Sequence, residues 1–171
     1  MPFPEVICRR LERFTADPPR FENAWYGPWT GILTFLFPPA EGYVVTPQSR
    51  LYGDDDSSVI PDFTIEVERV EDERLVLIVE IKNSSHWPNG IHRLLQQLNG
   101  QANHAFAENA REELYWIAVI GPHWKYGVKE DDGQDEGNHH GLIPLIEWHH
   151  TTHDDASFAD FLELAALVRA I

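Results

Sequence analysis

Residues 59–82 predict a β-hairpin, because apolar and polar side chains alternate over residues 62–68 and a nearly continuous apolar run follows over residues 75–81. Successive side chains of a strand point to opposite faces of a sheet, so the second strand of the hairpin divides into two sets. Val76, Ile78, Glu80 and Lys82 share one face, and Leu75, Leu77, Val79 and Ile81 share the other. A strand that is apolar on both faces is typical of the centre of a sheet covered on both sides.

Apolar side chains recur at helical spacing in four other segments, which predicts helices over residues 4–14, 21–37, 91–110 and 157–171. The second segment contains Gly27 and Pro28, which predict either a kinked helix or a true helix start near Pro28. Short apolar runs predict further strands over residues 42–46, 114–120, 124–128 and 142–148. The predicted order is therefore helix, three strands, helix and strand, followed by a C-terminal appendix.

Two polar segments separate these elements. Residues 50–58 contain three consecutive aspartates, at positions 54–56, and charge runs of this kind usually lie in solvent. Residues 129–141 are acidic, contain glycine and lack large apolar side chains, so we expect a mobile acidic loop.

The hairpin carries three charged groups that are candidates for chemistry. Asp62 follows Pro61 at the start of the first strand, and Glu80 and Lys82 end the second. Burying a carboxylate and an ammonium costs free energy unless they pair with each other or hold a metal ion. A structural ion pair at a strand end is one interpretation. The position of all three groups around the most apolar strand of the chain favours a functional site.

Composition favours one folded domain covering residues 1–171, because 43% of the residues are hydrophobic and six are tryptophan. The only cysteine, Cys8, excludes an internal disulfide framework and fits a reducing compartment. No apolar run approaches the roughly 18 residues of a membrane span, and the N-terminus does not resemble a signal peptide. We therefore expect an intracellular protein, cytoplasmic or nuclear, without a membrane partner.

Histidines cluster in the last third of the chain and raise the question of a zinc site. They are His139, His140, His149, His150 and His153. Their spacing matches no characteristic zinc pattern, and no second cysteine is present, so we expect surface histidines instead.

The motif Pro61-Asp62 before Glu80-Ile81-Lys82, together with the element order, resembles the PD-(D/E)xK nuclease superfamily over residues 21–120. The series WYGPW, ILTFLFP, TPQ, IPDF and VEIK is also similar to restriction-endonuclease-like domains of fungal proteins. The resemblance implies an α/β fold with a restriction-endonuclease-like αβββαβ core, in which helices flank a central mixed sheet. The remaining C-terminal strands and helix would be additions to that core.

The resemblance also implies roles for residues at matching positions. Asp62 and Glu80 would bind Mg²⁺ or Mn²⁺, with the backbone carbonyl of Ile81 as a further ligand. Lys82 would orient the attacking water and help to deprotonate it, with a pKa that can fall in the site. Glu22 matches an acidic residue on the first core helix, although an N-terminal helix cap is an equal alternative. Gln101 or Gln97 would be the polar residue of the second helix, although the Gln-x-x-x-Tyr pattern of one large branch is absent.

The implied function is metal-dependent hydrolysis of phosphodiester bonds, with DNA rather than RNA as the expected partner and a homodimer as a compatible state. The net charge of −15 opposes duplex binding, which usually needs a basic face. Three explanations stay open: a local basic cleft, a small or single-stranded substrate, and a nuclease fold kept as a protein-binding module. Cations available for a cleft are Arg9, Arg10, Arg13, Arg20, Lys82, His92, Arg93 and Lys125. A binding module predicts an exposed aromatic patch around Trp124 and Trp148.

Overall fold

A computed structural model describes residues 3–55, 57–69, 72–131 and 141–171. A six-stranded mixed sheet runs through the molecule in the order β1, β4, β5, β6, β7, β8. The pair of β5 and β6 is parallel, and every other neighbouring pair is antiparallel. The strands of this sheet are β1 (Tyr43–Pro47), β4 (Phe63–Arg69), β5 (Asp72–Lys82), β6 (Glu113–Ile120), β7 (His123–Glu130) and β8 (Ile143–Pro144). A separate two-stranded sheet joins β2 (Leu51–Tyr52) and β3 (Ser58–Val59).

Helices cover both faces of the large sheet. On one face, α1 (Glu5–Ala16), α2 (Tyr26–Leu36) and α4 (Asp155–Ala170) share an apolar core that includes the fully buried Trp29. On the other face, α3 (Ile91–Glu108) packs through Leu94 and Leu98. The α/β class, with helices flanking a central mixed sheet, is therefore confirmed. The prediction of one domain over residues 1–171 stays a prediction. No helix in the described ranges is both long and apolar enough to span a membrane.

The hairpin of β4 and β5 lies in the sheet as predicted, but its alternation changes at Val76. Ile65 pairs with Leu77 and Glu66 pairs with Leu75, so Val76 is an additional residue in β5. This bulge moves Leu75 onto the α3 face and Val76 onto the opposite face, which corrects the predicted sets. From Leu77 onwards the alternation is as predicted, and Glu80 and Lys82 lie on the α3 side.

The predicted helix over residues 21–37 is two elements. Residues Glu22–Trp25 form a short 3₁₀ helix, and α2 begins at Tyr26. Pro28 occupies the first turn of α2, where its missing N–H would have no partner within the helix in any case. The predicted alternative of a true start near Pro28 is therefore confirmed.

Three further predictions need correction. The polar segment 50–58 contains β2 and the first residue of β3, and of the predicted strand over 142–148 only β8 forms. The predicted mobile loop over 129–141 begins too early, because Lys129 and Glu130 belong to β7. Lys129 is 1% exposed and donates a 2.6 Å hydrogen bond to Asn99 Oδ1 on α3, which fixes the end of this strand. Residues 132–140, and Asp56 of the aspartate run, lie outside the described residues.

Candidate active site

Asp62 and the end of β5 meet because β4 and β5 are antiparallel. Phe63, the first residue of β4, pairs with Val79, so the preceding Asp62 lies beside Glu80 and Ile81. Asp62 Oδ2 accepts a 2.7 Å hydrogen bond from the backbone N–H of Ile81. The side chain is 7% exposed. The hairpin therefore brings the predicted carboxylates together at one edge of the sheet.

Glu80 is held by three donors from two elements. Its Oε1 accepts a 2.6 Å hydrogen bond from Lys82 Nζ and a second bond from Gln97 Nε2. Its Oε2 accepts a 2.8 Å bond from Gln101 Nε2. Gln97 and Gln101 are four residues apart on α3 and therefore project from the same face of the helix. The sequence offered these two glutamines as alternatives, and both contact Glu80.

Both carboxylates lie in an environment that disfavours their charge. Burial raises the pKa of Asp62, against the opposing effect of hydrogen bonds from Tyr26 and Ile81. Burial and the neighbouring charge of Asp62 raise the pKa of Glu80, although hydrogen bonds from Lys82 and Gln101 oppose this. Two close carboxylates with raised pKa values are the arrangement that a bound cation relieves.

Lys82 is a stable cation in this site. Burial alone would lower its pKa, but the hydrogen bond and charge of Glu80, with the charges of Glu22 and Asp62, raise the pKa above 10.5. Lys82 is therefore a compact positive charge beside Glu80. That its pKa can fall beside a metal ion stays a prediction.

Glu22 lies at the edge of the same site. It is the first residue of the 3₁₀ helix, and its Oε2 accepts a 3.3 Å hydrogen bond from the backbone N–H of Asn83. Asn83 directly follows Lys82, and the charge of Glu22 raises the pKa of Lys82 and of Tyr26. The contact is made across 61 residues of sequence, so Glu22 is more than a local helix cap.

Tyr26 and Gln48 also belong to the site and were missed. The hydroxyl of Tyr26 donates a hydrogen bond to Asp62 Oδ1, and burial with this bond raises the pKa of Tyr26. The Gln48 side chain lowers the pKa of Tyr26, and its backbone N–H donates to the carbonyl of Asp62 at 3.0 Å. Tyr26 stands four positions after Glu22, a helical spacing that would have placed both on one side. For Gln48, the only indication in the sequence was its position within the TPQ motif.

The turn after β6 holds the end of β5 in place. The N–H of Gly121 donates a 2.9 Å hydrogen bond to the carbonyl of Lys82. Gly121 has a φ of +59°, and a Cβ atom there would lie 2.5 Å from Ser84 Cβ. Only glycine allows this approach, so the segment that follows Lys82 is fixed by backbone packing.

The donor set suits a hard divalent cation. Mg²⁺ binds through one or two carboxylates and keeps several waters, so Asp62 and Glu80, with the carbonyl of Ile81 as the expected addition, match its chemistry. Gln101 Oε1 is buried beside Glu80 and has no hydrogen-bond donor among the described residues, which suits a water molecule in the site. Within those residues, no group of three or more histidine, cysteine, aspartate or glutamate side chains could hold a metal.

The other candidate features fall outside this site. His149 Nε2 lies 2.6 Å from Asp160 Oδ2 and its ring stacks on Trp124, so this histidine is structural. Trp124 is fully buried, which contradicts the predicted exposed patch around it.

A cavity of about 670 Å³ lies near the start of β5 and contains none of the predicted site residues. Its lining consists of Arg74, Arg111, Glu112, Glu113, Asp131 and Ile171.

The chain has a restriction-endonuclease-like α/β fold, and comparison with solved structures supports this fold. A cryoEM structure of a DrdV–DNA complex matches 94% of this chain with a TM-score of 0.57 and 13% identity. This chain corresponds to only 13% of that DrdV chain. A DUF820 protein from Anabaena variabilis, described as a candidate nuclease, matches 86% of this chain and 83% of its own, with 11% identity and a TM-score of 0.39.

Comparisons of sequence add nothing to this assignment. No protein-family model matches the chain. No curated protein matches it either. The expected likeness to fungal restriction-endonuclease-like domains is unsupported by any of these comparisons.

Proposed function

We propose that this protein is a divalent-metal-dependent nuclease that hydrolyses phosphodiester bonds of DNA. The observation that carries the proposal is the meeting of Asp62, Glu80 and Lys82 at one strand end, inside a restriction-endonuclease-like fold. A purely structural ion pair would need only Glu80 and Lys82. It would not account for a second buried carboxylate, whose charge makes ionisation of Glu80 more costly.

Asp62 and Glu80 would hold Mg²⁺ or Mn²⁺, with the backbone carbonyl of Ile81 as a further ligand. When bound, the ion would activate water and offset the charge that develops on the phosphate oxygens. Tyr26 and the N–H of Ile81 orient the Asp62 carboxylate, and Gln97 and Gln101 orient that of Glu80.

Lys82 supplies the positive charge that the phosphate needs. Its side chain is 21% exposed, whereas the Glu80 side chain is 3% exposed, so the ammonium is the accessible member of the pair. Because its pKa is raised, the ammonium stays charged at neutral pH and attracts a phosphate oxygen. Its role is to bind and stabilise charge and to orient the attacking water.

DNA is the preferred substrate class in this proposal, and the DrdV structure, which contains DNA, supports that choice. The net charge of −15 restricts how DNA would bind, because a broad contact with duplex backbone needs many exposed cations. A short contact confined to the α3 side of the sheet is compatible with this charge, since Lys82 already lies there.

The acidic surface also supports a second candidate, a nuclease fold that acts through a protein partner. In that case the 2.6 Å contact between Lys82 and Glu80 would serve only to neutralise the buried carboxylate of Glu80. The two candidates differ in what metal ions and DNA do to the protein.

A cleavage panel tests the proposal. Single- and double-stranded DNA and RNA are incubated with Mg²⁺ or Mn²⁺ and with wild type, Lys82→Ala or Arg10→Ala, the last of which removes an exposed cation on α1. We expect metal-dependent DNA cleavage that falls by about 10²-fold or more in Lys82→Ala and is unchanged in Arg10→Ala. Absence of cleavage, or equal cleavage by wild type and Lys82→Ala, would support the protein-binding candidate.

A further inference from the structure

All three lysines of this acidic chain lie on the α3 face of the sheet. They are Lys82, Lys125 and Lys129. Strand register aligns Glu80 with Ala118 and Ala118 with Lys125, so Glu80 and Lys125 lie in one cross-strand row. Paired residues of neighbouring strands project from the same face. The small side chain of Ala118 is the only one that separates Glu80 from Lys125 along this row.

Lys125 is buried, and among the described residues it has no anionic partner. The residue is 8% exposed, and its Nζ makes neither an ion pair nor a hydrogen bond with any part of the chain that the structure describes. Its one contact of note is with the ring of Trp148, 5.6 Å from Nζ to the ring centroid. The other two lysines have acceptors, Glu80 for Lys82 and Asn99 for Lys129. A buried ammonium without a partner is costly, and an anionic ligand removes that cost.

Aromatic rings connect Lys125 to the segment that follows Lys82. Trp148 packs edge-to-face with Trp87 at 5.2 Å, and Trp87 stacks on His123 at 3.8 Å. Trp87 lies five residues after Lys82, and His123 pairs with Ile120, which in turn pairs with Lys82. The rings therefore connect the segment that follows Lys82 to Lys125.

We propose that Lys125 binds a second backbone phosphate of the nucleic-acid strand, next to the phosphate that Lys82 contacts. This inference rests on the nuclease function proposed above and adds a substrate-binding subsite to it. Two strand spacings separate Glu80 from Lys125, which is about 10 Å between Cα atoms. Lys125 is therefore too far away to contact the phosphate that Lys82 contacts beside Glu80.

The subsite also addresses how a chain with a net charge of −15 would bind DNA. Lys125 and Lys82 are both largely withdrawn from the surface, where acidic side chains dominate. In a less polar setting each charge attracts a phosphate more strongly than an exposed lysine does. Two such lysines allow a short stretch of nucleic-acid backbone to bind to the protein despite its net charge of −15.

The test compares Lys125→Met and Lys125→Arg with the control Arg10→Met. Arg10 is an exposed cation on α1, and α1 belongs to the helical layer that covers the opposite face of the sheet. Binding of a short fluorescein-labelled DNA duplex, and of its single strand, is measured in EDTA over a range of salt concentrations. We expect Lys125→Met to weaken binding about 10-fold at low salt. The slope of log affinity against log salt should decrease by about 1, since one phosphate contact is lost. Lys125→Arg keeps the charge and should preserve the slope, and Arg10→Met should behave as wild type.

Two further measurements guard against a merely structural effect. With Mg²⁺ present, Lys125→Met should raise KM for DNA about 10-fold with little change in kcat, because the contact acts on binding. In wild-type protein labelled with ¹⁵N-lysine, which has only three lysine signals, DNA should shift the side-chain signals of Lys82 and Lys125 and leave that of Lys129 in place. This experiment needs no variant to fold.

The outcomes separate the two proposals. If wild type neither binds nor cleaves DNA, both the nuclease function and the subsite are overturned. If wild type acts on DNA but Lys125→Met keeps the wild-type slope and KM, only the subsite is overturned. The subsite alone is also overturned if DNA shifts the side-chain signal of Lys82 but not that of Lys125. It is likewise overturned if Arg10→Met lowers the salt slope as much as Lys125→Met does.

Discussion

Tyr26 donates a hydrogen bond from its hydroxyl to Asp62 Oδ1, and this contact ties the first residue of α2 to the residue before β4. The other oxygen of Asp62 is bound by the N–H of Ile81, so the carboxylate is fixed from both sides. Tyr26 also packs edge-to-face on Phe63 at 5.6 Å. A helix and two strands therefore determine where Asp62 points before any ligand arrives.

Tyr26→Phe tests whether this orientation matters. Phenylalanine keeps the packing on Phe63 but removes the donor, so the folded protein should lose about 1–2 kcal/mol of stability. Because the Tyr26 bond lowers the pKa of Asp62, that pKa should rise further, and the acid limb of the pH–activity profile should move to higher pH. Activity is measured as a function of pH with Mg²⁺ present. An unchanged profile together with unchanged stability would contradict the role of Tyr26.

Gln101→Met tests the contact of α3 with Glu80. The substitution keeps the apolar volume but removes the 2.8 Å bond to Glu80 Oε2, and Glu80 is 2% exposed. A buried carboxylate that loses a donor should cost about 1–3 kcal/mol, read from urea unfolding. Gln101→Glu is the matched variant, since it places a third carboxylate beside Glu80 and should destabilise more unless a divalent ion is present. A Gln101→Met protein as stable as wild type would show that the contact carries little free energy.

The sequence was sufficient to select charged residues that the structure brings together at the end of β5, whose roles stay predictions. Asp62, Glu80 and Lys82 stand out because a charged group next to an apolar strand is visible in the order of residues alone. The face assignment of Leu75 and Val76 failed, because a bulge depends on how β5 pairs with β4 and not on the composition of β5. Tyr26 was missed for a related reason, since its partner is 36 residues away and only the packing of α2 brings them together.

Metal ions should stabilise the folded protein if Asp62 and Glu80 are ligands. A ligand that binds only the folded state adds about 2.7 kcal/mol to the free energy of unfolding at 100 times its Kd. We expect a higher melting temperature in millimolar Mn²⁺ for wild type, and no such increase for Asp62→Asn or for Glu80→Gln. The control variant is Asp160→Asn, which removes the carboxylate beside His149 and should keep the full effect of Mn²⁺. An equal increase for wild type and for both site variants would place the metal elsewhere.

The raised pKa values of Asp62 and Glu80 predict how stability depends on pH. Their ordinary values are 3.8 and 4.5, which apply to the unfolded chain, and both pKa values are higher in the folded protein. Between the ordinary and the raised values the folded state binds more protons than the unfolded state, so the free energy of unfolding falls as the pH rises. The stability that these groups contribute is present below their ordinary pKa values and is lost as the pH passes the raised ones.

Glu80→Gln removes one of these two titrating groups. The free energy of unfolding of the variant should therefore fall less with rising pH than that of wild type. Subtracting the free energy of unfolding of wild type from that of Glu80→Gln should give a difference that increases as the pH rises above the ordinary value of 4.5. It should level off once the pH has passed the raised pKa of Glu80. The measurement is urea unfolding of both proteins in EDTA at several pH values. Repeating it with Mn²⁺ should lower the difference at neutral pH, because the ion stabilises only the wild-type carboxylate pair. A difference that decreases with pH in EDTA would mean that the Lys82 contact outweighs burial, and that Glu80 is held as a stable ion pair.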